Sequence, residues 1–395
     1  MVMTSEKQKY TIAMVAPCPF PTFQGTQVFI RSLANGLSRA GHTVHVIAYG
    51  HGEYESDFDF HLHRTMRLGK RLRSGPALTK PAADMALFMK AERILKTYRC
   101  DFLHVHNVEG LGIGALLRLH HQIPLIYHAH NAMGPELPTY FRAHLAQAFA
   151  GVVGDVLDRT LPKVAHGVIT LDEAQREFHE NYGIEPERLS VVPAGIDPED
   201  LEEPELETIH HVQDTLGKGP WLIYAGNPDN YQNLQLLWNA FPLIRQQRPD
   251  AKLLIATSYD PEIFASLIPK TIPQEALHIY RYHSLAELKA LFAVADVGLS
   301  PRKIWAGVPI KILNYLATGL PVVACKSAAQ YLLDEGSGAL VENTPEAFAQ
   351  GALETLKRKK GRQQKIRKNF ERFRISEQIE LYEAVYRKVL EFTAK

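Results

Sequence analysis

Short apolar runs alternate with amphipathic stretches along the first half of the chain. Apolar positions at helical spacing from Thr26 to about Arg39 separate two such runs, TIAMVA and TVHVIA. The predicted strands are 11–16, 43–48, 102–105, 125–129, 167–171 and 189–192, and further predicted helices are 110–119 and 172–182. Strands separated by helices of this length predict parallel βαβ units and a doubly wound sheet.

An acidic, proline-bearing stretch at 193–219 interrupts this rhythm, which restarts at 221–225 (WLIYA). Further strands are predicted near 252–256, 277–280, 297–300, 321–324 and 339–341. The fold class is therefore predicted to be α/β, with two tandem Rossmann-like domains facing a cleft, the usual place for a ligand. We predict an N-terminal domain at 1–200, a C-terminal domain at 201–375, and a helix at 376–395 that packs back toward the N-terminal domain.

Composition narrows the function. The 395 residues exceed what one hydrophobic core usually organises. A net charge of +1 argues against nucleic-acid binding through a broad basic surface, and the Lys-rich stretch 357–368 is interpreted as a solvated face. The three cysteines form no CxxC pair, so neither a disulfide framework nor a zinc site is predicted. We expect no signal peptide and no membrane span, hence a cytoplasmic protein.

Two places in the first half are candidates for ligand contact. Gly25 lies in the turn between the first strand and its helix, where backbone N–H groups can meet a phosphate or sugar. His128 and His130 end the strand of LIYHAHN, at the edge of the sheet where ligands collect. Because Ala129 separates them, we expect the two rings to face opposite sides, with His130 in the cleft, and no metal ion shared between them.

The segment 300–324, SPRKIWAGVPIKILNYLATGLPVVA, carries the most chemistry in the second half. Gly307 and Pro309 predict a helix start beside a strand end, which is an anion-binding arrangement. Lys311 and Asn314, three residues apart, share one face of that helix. Lys311 is expected to neutralise a diphosphate and Asn314 to bind ribose hydroxyls, with Arg302 adding positive charge.

The run NYLATGLPVVA resembles the donor-binding segment of retaining GT-B glycosyltransferases, a family that includes phosphatidylinositol mannosyltransferases and sucrose synthases. VVPAGID at 191–197 and IYAGNPDNYQNLQLLWNAF at 223–241 are similar to further family segments, in the same order. The resemblance covers nearly the whole chain. It implies transfer of a sugar from a nucleotide diphosphate sugar, with retention at the anomeric carbon and without a metal cofactor.

The resemblance also implies roles for individual residues. His130 corresponds to the active-site histidine that binds the transferred sugar, and Asn314 stands where a carboxylate binds ribose. Gly25 approaches the donor phosphates or the acceptor, and Tyr282 contacts the base. The complete set of predicted donor-binding residues is Gly25, Gly226, Asn227, Gln232, Tyr282, Gly307, Val308, Pro309, Ile310 and Asn314.

This chain departs from the family pattern at four positions. Ala306 and Asn314 stand where the family usually has two glutamates, and Asn227 and Gln232 lie near the usual Arg and Lys. An amide binds a hydroxyl more weakly than a carboxylate does. The missing positive charges must be replaced for a diphosphate to leave, and Lys311 and Arg302 are the candidates. They join His130 as the predicted catalytic residues.

Three hypotheses follow for the function. The first is a glycosyltransferase whose acceptor is a glycolipid, a polysaccharide precursor or a small molecule. The alternatives are a nucleotide-sugar epimerase, for which no cluster of acid–base carboxylates is visible, and a pseudo-glycosyltransferase that binds without catalysis. The basic segment 61–73, HLHRTMRLGKRLR, is typical either of contact with an anionic membrane, which would suit a lipid-linked acceptor, or of a solvated loop.

Overall fold

Two parallel sheets organise the chain, which is described here by a computed structural model. The described residues are 8–52, 57–68, 79–197, 203–303, 307–333, 336–357 and 363–394. Contacts divide the chain into two units. The first consists of Met1–Thr22, Thr26–Ala194 and Gln378–Lys395, and the second of Phe23–Gly25 and Gly195–Glu377.

The first unit contains a seven-stranded parallel sheet with strand order β3-β2-β1-β4-β5-β6-β7 among the described residues. Its strands are β1 (Thr11–Pro19), β2 (Thr43–Tyr49), β3 (His61–Arg64), β4 (Phe102–His106), β5 (Leu125–His128), β6 (Gly167–Thr170) and β7 (Leu189–Val191). The helices between them are α1 (Gly25–Arg39), α2 (Lys80–Thr97), α3 (Asn107–His121), α4 (Met133–Glu136), α5 (His144–Thr160) and α6 (Glu173–Asn181). Strands and helices alternate as predicted for a doubly wound sheet.

The second unit contains a six-stranded parallel sheet with strand order β10-β9-β8-β11-β12-β13 within the described ranges. Its strands are β8 (Trp221–Ala225), β9 (Lys252–Thr257), β10 (Leu277–Arg281), β11 (Val297–Ser300), β12 (Val322–Cys325) and β13 (Gly338–Val341). Its helices are α7 (Leu206–Leu216), α8 (Leu234–Gln247), α9 (Pro261–Ala265), α10 (Leu285–Val294), α11 (Ile310–Ala317), α12 (Lys326–Ala329), α13 (Pro345–Lys357) and α14 (Gln363–Phe370).

The last helix, α15 (Ile375–Thr393), packs on the first unit from Gln378 onward. The ring of Tyr386 stacks on Phe102 with a centroid separation of 4.9 Å. The carboxylate of Glu383 lies 3.3 Å from Nε2 of His42, and both side chains are buried. The helix thus contributes apolar and polar contacts to the core of the first unit.

The two faces of the first sheet differ in chemistry. Leu103, Val105 and Leu125 join an apolar core with residues of α2 and α3. Alternate residues of the same strands, His104 and His106 among them, point to the opposite face, and both are fully buried. A buried sheet face normally presents apolar side chains, so these histidines need a separate explanation.

Several elements were absent from the sequence prediction. The region between β2 and β4 holds an edge strand, β3, and the long helix α2, and α5 precedes β6. The first four residues of the basic segment 61–73 form β3, paired with β2, while residues 69–73 lie outside the described part. Membrane contact through this segment stays a prediction. Among the described helices, none combines the length and apolar character needed to cross a bilayer.

The fold predicts a large cost for adding one methyl group at Gly338. Its φ is +155°, and a Cβ would overlap the Val322 carbonyl oxygen on the paired strand β12. Gly338→Ala should lower the free energy of unfolding by about 1–3 kcal/mol, because backbone must move. In the matched change, Gly112→Ala, the new Cβ meets open space in α3, and stability should rise by about 0.5–1 kcal/mol. Thermal unfolding compares the two variants, and equal effects would contradict the packing described for β12 and β13.

Candidate functional site

The candidate nucleotide site of the second unit lies where its strand order reverses. β8 and β11 are neighbours, but the chain leaves β8 toward β9 on one side and leaves β11 toward β12 on the other. The two loops that follow, 226–233 and the one that begins at Pro301, therefore leave the carboxyl ends of the strands in different directions. In open α/β sheets, this topological switch point is where ligands bind.

The loop after β8 is held together by its own polar side chains. Gly226 adopts a φ of +149°, which favours glycine. The amide nitrogen of Asn227 donates to a carboxylate oxygen of Asp229 at 2.7 Å, and Gln232 donates to the Asn227 side-chain oxygen at 3.2 Å. The hydroxyl of Tyr224 donates to the Asn227 carbonyl at 2.7 Å. Three of the predicted donor-binding residues thus belong to one connected loop.

Lys311 reaches this loop from the first turn of α11. Its ammonium donates to the side-chain oxygen of Gln232 at 2.8 Å and lies 4.0 Å from the ring centre of Tyr224. A Cβ at Gly226 would lie 3.0 Å from the same nitrogen, so glycine leaves room for it. Among the described residues, no carboxylate forms a salt bridge with Lys311. A hydrogen bond and a ring face hold the ammonium instead.

The electrostatics of this cluster favour an anion. Burial, and then the nearby guanidinium of Arg302, lower the pKa of Lys311 well below its ordinary value, whereas Asp229 opposes the shift. Burial in turn raises the pKa of Asp229, and Lys311 lowers it. Two cationic groups close enough to disfavour each other's charge are stabilised when a negative group binds beside them.

The start of α11 adds backbone donors to the same place. Gly307 has a φ of +129°, and Pro309 occupies the N-cap position, followed by Ile310. A helix N-terminus presents free N–H groups and a partial positive charge. The α11 side chain at Asn314 has a buried Oδ1 that finds no hydrogen-bond partner among the described residues. An unsatisfied buried acceptor at such a place is suited to a ligand hydroxyl.

The remaining predicted donor residues lie around this centre. The Arg302 guanidinium stacks 5.2 Å above the ring centre of Tyr231. Tyr282 follows β10, and its backbone N–H donates to the Thr257 carbonyl at 3.0 Å. The contacts of Gly25 assign it to the second unit. A Cβ added at Gly25 would lie 3.1 Å from the Cβ of Ile310. Ala306, one of the departures from the family pattern, lies outside the described residues.

A supporting layer fixes the two loops. The backbone N–H of Ala225 donates to the Tyr315 hydroxyl at 2.8 Å, which ties the end of β8 to α11. The amide of Asn233 donates to the Pro301 carbonyl and to the Asn343 side-chain oxygen, both at 2.9 Å. The exit from β11 is therefore anchored to the start of α8. Asn233, Tyr224 and Tyr315 are supporting residues that the sequence analysis did not identify.

Four histidines lie on one face of the first sheet, whereas the sequence predicted a single one, His130, in the cleft. His128 and His130 were predicted to face opposite sides, and this is wrong: their rings stack with centroids 4.7 Å apart. Residues separated by one position point to the same face of a strand, so Ala129 is the residue that faces away. His104 and His106 on β4 join them, and the pattern HVH in a buried strand could have revealed both.

The four rings form a ladder of stacked pairs. His104 stacks on His106 and His128, and His106 and His128 stack as well, at centroid distances of 4.9–5.3 Å. Nε2 of His104 lies 3.2 Å from Nδ1 of His128, and Nδ1 of His106 lies 2.7 Å from Nε2 of His130. Hydrogen bonds between neighbouring rings therefore organise the ladder.

The ring nitrogens of His104, His106 and His128 also lie within 4.8 Å of one another. The argument from opposite faces against a shared metal ion therefore fails. The expectation that no metal takes part in the function stays a prediction.

Burial lowers the pKa of all four imidazoles, to about 3 for His104 and His130. His130 alone among them retains measurable exposure, at 4%, against none for the other three. Its backbone carbonyl accepts a hydrogen bond from the Gln175 amide at 3.2 Å. Near neutral pH His130 is therefore an uncharged ring at the accessible end of a buried ladder.

Both halves of the chain match known protein families. The family described as Glycosyltransferase Family 4 matches residues 23–200, and the family described as Glycosyl transferases group 1 matches residues 219–358. An MMP alpha-(1->4)-mannosyltransferase of Mycolicibacterium hassiacum is 22% identical over 333 residues, which cover 77% of this chain and 78% of that protein.

Solved structures share the fold over nearly the full length. Sucrose-phosphate synthase from Thermosynechococcus elongatus superposes with a TM-score of 0.80 at 15% identity, covering 98% of this chain and 100% of the other. Anabaena HepE, in complex with UDP and glucose, gives a TM-score of 0.70 at 14% identity, covering 94% and 98%. The class that the fold and the family matches define is that of the GT-B glycosyltransferases. The chain belongs to the glycosyltransferase family 4-like, group 1 glycosyltransferases.

We expect Lys311 to lower the stability of the ligand-free protein and to raise its affinity for a nucleoside diphosphate. Its pKa is lowered on folding, so its charge destabilises the native state at pH values below the folded pKa. Lys311→Met should raise the melting temperature at neutral pH by about 2–4 °C, the equivalent of about 1 kcal/mol. The difference should disappear as pH rises from the folded pKa toward the ordinary value of 10.5, where the wild type no longer folds a charged group.

The same variant should lose nucleoside diphosphate affinity by about 10- to 150-fold, since a hydrogen bond to a charged group contributes about 1.5–3 kcal/mol. Titration calorimetry with UDP, GDP and ADP measures this. Lys96→Met is the control, because that exposed lysine pairs with Glu92 at 2.9 Å in α2, which belongs to the first unit. Loss of stability in Lys311→Met without loss of binding would show that Lys311 is a structural residue.

Proposed function

We propose that this glycosyltransferase takes its sugar from a nucleotide diphosphate sugar whose diphosphate binds Lys311, Arg302 and the N-terminus of α11. The observation that carries the proposal is the 2.8 Å hydrogen bond from the Lys311 ammonium to Gln232. Gln232 lies near the position where the family resemblance places a basic residue. The ammonium of Lys311 therefore brings a positive charge back to within hydrogen-bond distance of that position.

The same reasoning applies to the second missing cation. Asn227 lies near the other usual basic position, and its neutral amide, which is bonded to Asp229, supplies no positive charge. Arg302, buried to 6% exposure and close enough to shift the pKa of Lys311, is the second candidate. A pair of preorganised cations stabilises the negative charge that develops on a departing diphosphate. We propose that they act here without a divalent ion.

The comparisons favour a hexose donor. One relative is named as a mannosyltransferase, and one structural neighbour holds UDP and glucose. We propose a hexosyl group for transfer and Tyr282 as a contact for the base. The acceptor is proposed to be a glycolipid, a polysaccharide precursor or a small molecule with a nucleophilic hydroxyl.

For the reaction itself we propose retention of anomeric configuration. The bond from the anomeric carbon to the diphosphate oxygen breaks, and the acceptor oxygen bonds to the same face of that carbon. Because the acceptor attacks the face from which the diphosphate leaves, no enzymatic nucleophile is required, and the departing diphosphate accepts the acceptor's hydroxyl proton in place of a general base. His130 would bind the transferred sugar through its accessible ring nitrogen and orient it for this attack.

Asn314 should recognise the ribose. Its buried Oδ1 is unpaired in the described residues, and a ribose hydroxyl can donate to it. Asn314→Ala should reduce UDP affinity by about 2- to 13-fold, corresponding to a neutral hydrogen bond of about 0.5–1.5 kcal/mol. Its effect on 2′,3′-dideoxy-UDP should be negligible, because that ligand has no hydroxyl to lose. Calorimetry with wild type and variant on both ligands gives four affinities that complete a thermodynamic cycle. An equal loss of affinity for both ligands would contradict ribose recognition by Asn314.

The function is tested by product analysis. The purified protein is incubated with UDP-, GDP- and ADP-hexoses and a panel of hydroxyl acceptors, in EDTA and in Mg²⁺. We expect transfer from one donor class at a similar rate in both, with proton NMR showing the donor's anomeric configuration in the product. An inverted product would refute retention, and transfer only in Mg²⁺ would refute the two-cation account. Tight binding of a nucleotide sugar without transfer or hydrolysis would instead favour the pseudo-glycosyltransferase, which the amides at Asn314 and Gln232 would explain.

A further inference from the structure

The ladder pairs His130 with a histidine that the proposed mechanism does not use. His106 ends β4 and caps α3 without a side-chain hydrogen bond to that helix. Its Nδ1 instead lies 2.7 Å from Nε2 of His130, and its own Nε2 is buried with no partner among the described residues. His130 is 4% exposed and His106 is not exposed at all, so the bond joins a fully buried residue to one that retains slight exposure.

Counting protons decides the direction of this hydrogen bond. Burial lowers the pKa of His130 to about 3 and that of His106 well below its ordinary value, so each ring is neutral near pH 7 and carries one N–H. If His130 donated through Nε2, the proton of His106 would sit on its buried, unpartnered Nε2. An orphaned N–H is rarer in buried protein than an orphaned acceptor. His106 therefore donates from Nδ1, and its Nε2 keeps only a lone pair.

The second pair of the ladder obeys the same rule. Nε2 of His128 is buried and unpartnered within the described residues, whereas its Nδ1 lies 3.2 Å from Nε2 of His104. A proton on Nδ1 of His128 is donated to His104, whose own proton on Nδ1 then faces the Tyr386 hydroxyl at 3.0 Å. In both pairs, the buried Nε2 atom without a partner, on His106 and on His128, is therefore a bare acceptor and carries no hydrogen.

We propose that His106 is a positioning residue that fixes the tautomer of His130 and makes its Nδ1 a hydrogen-bond donor. Since Nε2 of His130 accepts the proton of His106, the single proton of His130 sits on Nδ1. A donor of fixed direction binds a lone pair of a substrate hydroxyl or ether oxygen, as sugars present. The Phe29 ring packs nearly perpendicular to both His128 and His130, with centroids 5.2 and 5.4 Å away.

This inference rests on the proposed role of His130 toward the transferred sugar, but its central statement concerns the free protein. The tautomer is read directly from long-range proton–nitrogen correlation spectra of protein labelled with ¹⁵N-histidine, at neutral pH in EDTA. In a neutral imidazole the protonated and bare nitrogens give well-separated shifts. We expect Nδ1 of His130 to be the protonated nitrogen in the wild type. Protonation on Nε2 would overturn the proposal without any variant being made.

Two nearly matched variants test the dependence on His106. In His106→Asn the amide N–H occupies the place of Nδ1 and can still donate to His130, whereas in His106→Gln the amide falls nearer the place of Nε2. We expect the Nδ1–H form of His130 to persist in His106→Asn and to give way to a mixture of tautomers in His106→Gln. An unchanged spectrum for His130 in folded His106→Gln would also overturn the proposal.

Enzyme kinetics distinguish a positioning residue from a purely structural one. His106→Gln should lower kcat/KM for the sugar donor by about 2- to 13-fold, the value of one neutral hydrogen bond. His106→Asn should restore it, and the affinity for the nucleoside diphosphate alone should be unchanged in both. A parallel loss of diphosphate affinity would mean general damage and contradict positioning. Absence of transfer in every protein, with the predicted tautomer observed, would count against the proposed function and leave the role of His106 intact.

Discussion

The second unit depends on an ammonium group that is held inside the protein by neutral partners. Lys311 donates to an amide oxygen and lies over an aromatic ring, and the nearest influence of like charge comes from Arg302. Such a charge costs free energy in the empty protein, because desolvation is offset only in part by a hydrogen bond and a ring face. In the proposed function, a diphosphate bound beside Lys311 supplies the missing negative charge, and the free energy lost in the ligand-free protein is regained on binding.

Much of the surrounding structure serves to keep that ammonium in place. Gly226 leaves room for it, the chain of amides through Gln232 and Asn227 orients its acceptor, and Tyr315 ties the strand end to the helix that carries it. A site that must hold one geometry needs this second layer of contacts. The first unit uses a different device, neutral histidines in a stack. Burial disfavours charge in both places, but we propose that the rings act as neutral groups, whereas Lys311 acts through its charge.

The sequence predicted the two α/β domains because strand and helix periodicities alternate clearly and strand composition is apolar. It missed β3 and α2, since β3 is a polar edge strand, HLHR, and α2 has apolar residues on its exposed face as well, Met85 and Met89, which weakens its helical periodicity. It placed Lys311 and Asn314 on one helical face by their spacing and named Gln232 by family resemblance, and the ligand contacts of all three stay predictions. It did not reveal that Lys311 meets Gln232, because 79 residues of chain separate them and only the parallel sheet brings β8 and β11 together.

The histidines show a different kind of limit. The alternation HVH and HAH was present in the sequence, but the side to which each ring points was misjudged, and a strand's period of two would have corrected it. What no pattern contains is the pairing of β4 with β5, which sets His104 beside His128 and His106 beside His130. Partners in a parallel sheet are chosen by tertiary packing, so a hydrogen bond between two strands cannot be inferred from either strand alone.

The most direct test of the account is a crystal structure of the protein with its preferred nucleoside diphosphate bound. We predict that phosphate oxygens contact the Lys311 ammonium, the Arg302 guanidinium and the backbone N–H groups at the start of α11, with a ribose hydroxyl at Asn314. A diphosphate bound elsewhere, with Lys311 still engaged only by Gln232 and Tyr224, would contradict the account and leave this lysine without a function.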